Sequence, residues 1–238
     1  MIQSKREIRR YIWRLLEERD IAVFPRPVYG RIPNFRGADR AALRLLDIKE
    51  FVDASVVKVN PDSPQKHVRR LVLKMDKTLI MPTPRIKKGF LIVKPDNITD
   101  YEYASTIKGA FKYGRYIHPS EMPEIDFIVE GSVAVSRECD RIGKGEGYGE
   151  LEYAILLEYG KIDYNVPIAT TVHDMQIVDY IPRDPFDVSI NYIVTPTRII
   201  RCGGSIHRPR GIIWNSIDRH KIMEIPILYE LARRHGII

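Results

Sequence analysis

Residues 125–160 read IDFIVEGSVAVSRECDRIGKGEGYGELEYAILLEYG, and the order of textures in this stretch sets the fold. The β-branched, apolar run 125–135, interrupted at Gly131, suits a buried strand. A glycine-punctuated loop over 137–147 follows, and then a helix over 148–159 that Gly160 closes. Strand, loop and helix in this order make one unit of an α/β domain.

The same alternation extends to both sides. Residues 4–19 form an amphipathic helix, with Ile8, Tyr11, Ile12, Leu15 and Leu16 on the helical stripe and Lys5, Arg6, Arg9 and Arg10 off it. The proline-rich stretch 24–33 is a connection, because proline removes a helix donor and clashes with the preceding turn. A helical period resumes over 38–48, a strand is expected at 55–60, and Ser63 followed by Pro64 starts a helix over 64–75. A strand follows at 78–81, 89–93 adds a short apolar run, and 98–116 reads as a weak helix and loop. Beyond the quoted stretch, strands are expected at 168–172, 176–181, 191–194 and 198–201, and a last helix over 226–235. Strands alternating with helices predict a mostly parallel sheet covered on both faces, and nothing in the composition divides residues 1–238 into two domains.

The chain has 238 residues, 44% of them hydrophobic, which is enough to bury a core without staples and excludes a predominantly disordered state. Its net charge of +7 suits a polyanionic partner without choosing among ATP, a polyglutamylated cofactor and nucleic acid. Cys139 and Cys202 could pair, but two cysteines are no disulfide framework. The charged, periodic N-terminus is no secretion signal, and no apolar run reaches the length of a membrane span. The expectation is a cytoplasmic protein without a membrane partner.

Chemistry concentrates in Asp140-Arg-Ile-Gly-Lys-Gly-Glu-Gly-Tyr-Gly-Glu150. Gly143, Gly145 and Gly147 let backbone N–H groups converge on an anion, and the helix that follows turns its free N–H groups to the same place. Arg141 and Lys144 add full charges, so the segment reads as a polyphosphate cradle. A flexible turn is the plain alternative. It is neither a P-loop nor the dinucleotide fingerprint, since both require other spacings. Glu150, one turn into the helix, could hold Mg²⁺ against phosphate oxygens or merely favour the helix start. His173-Asp174 is a weak candidate acid–base pair, and no Cys/His metal cluster or nucleophile elbow appears.

This loop and the strand Asp126-Phe-Ile-Val before it resemble the nucleotide loop of the 5-formyltetrahydrofolate cyclo-ligase (methenyltetrahydrofolate synthetase) family, which carries G-R-x-G-x-G-x-G-Y-Y-D after a buried strand. Lys5-Arg-Glu-Ile-Arg9 is similar to its N-terminal K-x-x-[LI]-R helix. Arg31-Ile-Pro-Asn-Phe35, Lys58-Val-Asn-Pro-Asp62, Met81-Pro-Thr-Pro-Arg85 and Gly131-Ser-Val-Ala-Val-Ser136 resemble the branch of methenyltetrahydrofolate synthetase domain-containing proteins. The resemblance implies a three-layer αβα, Rossmann-like sheet of the ribose-5-phosphate isomerase and CoA-transferase kind. It implies ATP-dependent conversion of 5-formyltetrahydrofolate to 5,10-methenyltetrahydrofolate through a phosphorylated formyl group, with ATP, Mg²⁺ and a reduced formyl-folate or formyl-pterin as partners. Carried over residue by residue, Lys5, Arg9, Arg141, Ile142, Gly143, Lys144, Gly145, Glu146, Gly147 and Tyr148 bind ATP. Arg141, Lys144 and Tyr148 serve catalysis, Glu150 takes the metal, and Asn60, Asp62 and Gln65 stand where the family keeps its folate-binding glutamate. The family's Tyr-Tyr-Asp is Tyr148-Gly149-Glu150 here, and the branch's glycine before the loop is Asp140. The alternatives are an ATP-dependent ligase on another formyl-pterin or amide, and a catalytically silent nucleotide or RNA-binding relative. Nucleic acid is the weaker partner, because the aromatic pattern of an RNA-recognition sheet is missing.

Overall fold

Eleven short strands account for the sheets among residues 4–203 and 206–238, which this computed structural model describes. They are β1 (Val56–Val59), β2 (Thr78–Pro82), β3 (Phe90–Val93), β4 (Arg115–Ile117), β5 (Phe127–Glu130), β6 (Ala134–Ser136), β7 (Arg141–Ile142), β8 (Ile168–Thr171), β9 (Ile177–Val178), β10 (Tyr192–Val194) and β11 (Ile199–Arg201). Eight of them form one sheet in the order β11-β10-β8-β5-β1-β2-β3-β4. The middle five run parallel, and β3, β4 and β11 are antiparallel additions at the edges. Strands β7, β6 and β9 form a second, three-stranded sheet.

Helices cover both faces, as the alternation predicted. They are α1 (Lys5–Glu18), α2 (Ala38–Leu43), α3 (Lys49–Asp53), α4 (Lys66–Lys74), α5 (Tyr101–Ala104), α6 (Ile107–Tyr113), α7 (Tyr148–Glu158), α8 (Arg219–Glu224) and α9 (Pro226–Arg234). Val57, Val59, Phe127 and Val129 face a core shared with Phe51, Val68, Val72 and Ala110, from α3, α4 and α6. Ile128, Ile168 and Ile193 face the opposite core with Leu151, Ile155 and Leu228, from α7 and α9. Because successive strand residues point to opposite faces, Lys58 and Glu130 fall on the α7 face. Helix α1 buries Ile8, Ile12, Trp13 and Leu16 against Ala134 and Ile142 of the small sheet and Val133 just before it, while Tyr11 of the expected stripe is exposed.

Several expectations are corrected. The run 125–135 is two strands in two sheets, because the chain leaves the main sheet at Gly131. A Cβ at that glycine would lie 2.9 Å from Asp62 Oδ2 and 3.1 Å from Gln65 Oε1, so the backbone passes too close for a side chain. The loop 137–147 contains β7, and the segment 98–116 holds two short helices and the start of edge strand β4. The helix expected over 38–48 ends at Leu43 and continues as a 3-10 turn over Arg44–Asp47. Cys139 and Cys202 are joined as a disulfide, 63 residues apart in sequence, with Cα atoms 5.9 Å apart. Among the described residues no helix is long and apolar enough to cross a membrane.

Candidate functional site

The glycine loop joins β7 of the small sheet to α7, and it lies beside the carboxyl ends of β5 and β1. Arg141 makes that junction: Nη1 donates to the carbonyl of Gly131 at 2.9 Å and Nη2 to Glu150 Oε1 at 2.6 Å. Glu130 Oε2 lies 3.6 Å from the same guanidinium. Gly145 has φ +104° and Gly147 φ +71°, a region that favours glycine, and Gly147 precedes α7 with no side-chain cap. The first N–H groups of α7 are therefore available at the loop.

Two cavities flank this loop. The first, of about 440 Å³, is lined by Lys5, Arg9, Gly145 and the acidic pair Asp184 and Asp187. Its deeper wall is apolar: Leu151 and Ala154 of α7, Phe186, Ile212 and Ile217. Arg9 Nε donates to the carbonyl of Gly143 at 2.7 Å, which ties the first helix to the loop. Lys5 Nζ donates to Asp184 at 2.6 Å and Asp187 at 2.5 Å. Lys221 of α8 donates to the carbonyl of Glu146 at 2.6 Å and sits 4.7 Å from the centre of the Tyr148 ring.

The second cavity, also about 440 Å³, opens on the other side and is lined by Asn60, Asp62, Glu130, Glu152, Lys144 and Tyr148. Arg85 and Lys87 add positive charge to its lining. Gly143, Glu146, Gly147 and Glu150 line both cavities, so the loop is their common wall. Glu146 lies 2.9 Å from Lys144 and 3.5 Å from Arg85, and so neutralises two cations next to the loop.

Below this cavity is a buried charge network. Lys58 Nζ donates to Glu130 Oε1 and to Glu152 Oε2, both at 2.6 Å, and Asn60 Nδ2 donates to the same Glu152 oxygen at 3.1 Å. Burial raises the Glu152 carboxyl to about 7, the pull of Lys58 being opposed by the negative charges of Glu130 and Asp62. Burial also raises Asp62.

The expected ATP residues fall along the first cavity and the loop. Arg141 differs from expectation: its guanidinium points into the protein, against Glu130 and Glu150, and braces the loop from beneath. Asn60 and Asp62 line the second cavity, whereas Gln65 is buried behind them and donates from Nε2 to Thr171 at 3.1 Å. His173 caps a 3-10 turn and Asp174 accepts from Thr197 and pairs with Arg198, a structural pairing. Sequence reasoning missed Lys58, Glu130 and Glu152. A charge inside an apolar strand or helix was the available signal, because such charges are buried only with partners.

The residues present do not fit a resident Mg²⁺. Burial would raise Glu150, but the charge of Arg141 outweighs it and holds the carboxyl below its ordinary range, with one oxygen already accepting from that guanidinium. Asp184 and Asp187 are occupied by Lys5, and among the described residues no group of three or more His, Cys, Asp or Glu could hold a metal ion. Glu150, the residue expected to take the metal, is held in an ion pair with Arg141.

Comparison with known proteins agrees with the motifs. The model of the 5-formyltetrahydrofolate cyclo-ligase family matches residues 1–196. Methenyltetrahydrofolate synthase domain-containing proteins of Mus musculus and Homo sapiens are each 42% identical over 97% of the chain. The chain spans 64% of the mouse protein and 62% of the human one. The solved 5,10-methenyltetrahydrofolate synthetase of Aquifex aeolicus has the same fold, with a TM-score of 0.54 and 19% identity over 84% of this chain and 94% of that one. The chain belongs to the 5-formyltetrahydrofolate cyclo-ligase family.

Proposed function

We propose that the protein is an ATP-dependent cyclo-ligase that converts 5-formyltetrahydrofolate to 5,10-methenyltetrahydrofolate. The observation that carries this reading is the glycine loop shared as a wall by two cavities of similar size. A reaction in which one bound molecule passes a phosphoryl group to another needs two pockets separated by the phosphate cradle. Lys5 and Arg9 enter the first cavity beside an apolar wall that suits a purine base, and the loop N–H groups face the phosphates. Lys144 and Tyr148 face the second, where Arg85 and Lys87 suit the carboxylate tail of a folate.

In this arrangement the formyl oxygen takes the terminal phosphoryl group, N10 attacks the activated carbon and phosphate leaves. The protein supplies position and charge rather than a nucleophile: holding both reactants removes the entropy of their encounter, and Lys144 stabilises charge on the transferring group. Magnesium, where it accompanies the nucleotide, shields phosphate charge. The test is incubation of the protein with 5-formyltetrahydrofolate, ATP and magnesium, following the near-ultraviolet absorbance of the methenyl product. The expected result is ATP-dependent growth of that absorbance. Its absence at high protein concentration, with ATP binding intact, overturns the reading.

A further inference from the structure

Cyclisation releases a proton from the attacking amine, and the second cavity holds a carboxylate placed to receive it. Glu130 and Glu152 share Lys58, yet their surroundings differ. Glu130 meets a second cation, with Arg141 at 3.6 Å, whereas the only cation paired with Glu152 among the described residues is Lys58. The charged groups acting on Glu152 are Lys58 from β1, Glu130 from β5 and Asp62 from the connection after β1; Arg141 reaches Glu130 and Glu150 instead. Burial raises the Asp62 carboxyl, against the charges of Lys144, Arg69 and Lys58. Glu152 lies one turn into α7 from Tyr148, 4% exposed, and lines the second cavity beside Gly149.

We propose that Glu152 is the proton acceptor for the amine that attacks the activated carbon, with Lys58 and Asn60 as positioning residues; this rests on the cyclo-ligase reading above. The amine lone pair forms the new N–C bond, its N–H bond breaks, and the proton goes to the Glu152 carboxylate. The C–O bond to the phosphorylated oxygen then breaks and phosphate leaves with that electron pair. Lys58 stays protonated throughout and fixes one carboxylate oxygen. Lys58 and Asn60 both donate to one Glu152 oxygen, which leaves the other to take the proton.

The experiment is the pH profile of methenyl formation by the full chain with 5-formyltetrahydrofolate, ATP and magnesium. In the unaltered protein, kcat rises with pH and levels off once the base is ionised. Glu152→Gln lowers kcat roughly a hundredfold, abolishes that acid limb and leaves ATP affinity within about threefold. Glu152→Asp, which keeps the charge one methylene further back, keeps the limb with a smaller loss. Should Glu152→Gln fail to fold, the unaltered profile and the Asp variant decide. A flat profile in the unaltered protein overturns the proposal, as does a Glu152→Gln protein that retains the limb and its rate. Failure of the cyclo-ligase reading is distinct: the unaltered protein then makes no methenyl product at any pH, and this proposal falls with it.

Discussion

Lys5 and Lys58 each hold two carboxylates, on opposite sides of the same loop, but not at the same depth. Lys5 keeps 15% of its side chain in solvent and pairs with Asp184 and Asp187, whereas Lys58 keeps 1% and pairs with Glu130 and Glu152. Water screens the first group and can replace a partner that moves. In the second group water is excluded, and removal of one member leaves the others charged and unsolvated. The lesson is that one loop separates a wet, adjustable charge site from a dry, fixed one.

Lys58→Met is the strongest way to break this comparison. It leaves Glu130 and Glu152 without their shared cation and should lower stability by about 3–5 kcal/mol in urea unfolding. Lys5→Met should cost about 1 kcal/mol or less in the same assay, since its pair is partly solvated. Equal losses would show that the two groups are energetically alike.

Lys144→Ala tests the wall between the cavities. In the proposed reaction its charge acts where phosphoryl transfer redistributes negative charge, so kcat should fall roughly a hundredfold, about 3 kcal/mol, with a smaller change in ATP affinity. Calorimetric titration of ATP beside steady-state kinetics separates the two effects.

Gly145→Val acts on the wet side. A Cβ there would lie 3.3 Å from Arg9 Cζ, in a backbone at φ +104° that strains a branched residue. Strain of about 1–3 kcal/mol should appear as ATP binding weakened by up to roughly a hundredfold. Arg9→Ala removes the hydrogen bond to Gly143 and should weaken ATP by roughly tenfold, measured by the same titration.

A further effect is one of pH. Glu152 titrates at about 7 in the folded protein because of burial, above its ordinary value of 4.5. The folded state therefore binds this proton more tightly than the unfolded state does. The contribution of Glu152 to stability is full below 4.5 and is lost as pH rises through about 7. Glu152→Gln should flatten that part of the stability profile in denaturant titrations across the range.

Much of the architecture was legible because periodicity is local. Four of the five parallel central strands and the helices α1, α4, α7 and α9 lie close to their expected positions, and β5 lies within the longer expected run, since apolar alternation and capping residues act over a few positions. The position of the glycine loop at the start of α7 was legible for the same reason. The break at Gly131 was not legible, because the reason for it is Asp62 and Gln65, far away in sequence. Nor was the inward turn of Arg141, which depends on Glu130 and Glu150 meeting around one guanidinium.

The sequence by itself determined an α/β chain, a glycine-rich loop at a helix start, and the family those motifs resemble. Only the tertiary structure decided that the loop separates two cavities, that Glu150 pairs with Arg141, and that Lys58, Glu130 and Glu152 share one dry cluster. The physical reason is range. Backbone preferences and helix or strand periods act over a few residues, but an ion pair in a low-dielectric interior depends on side chains drawn from β1, β5 and α7, up to 94 residues apart.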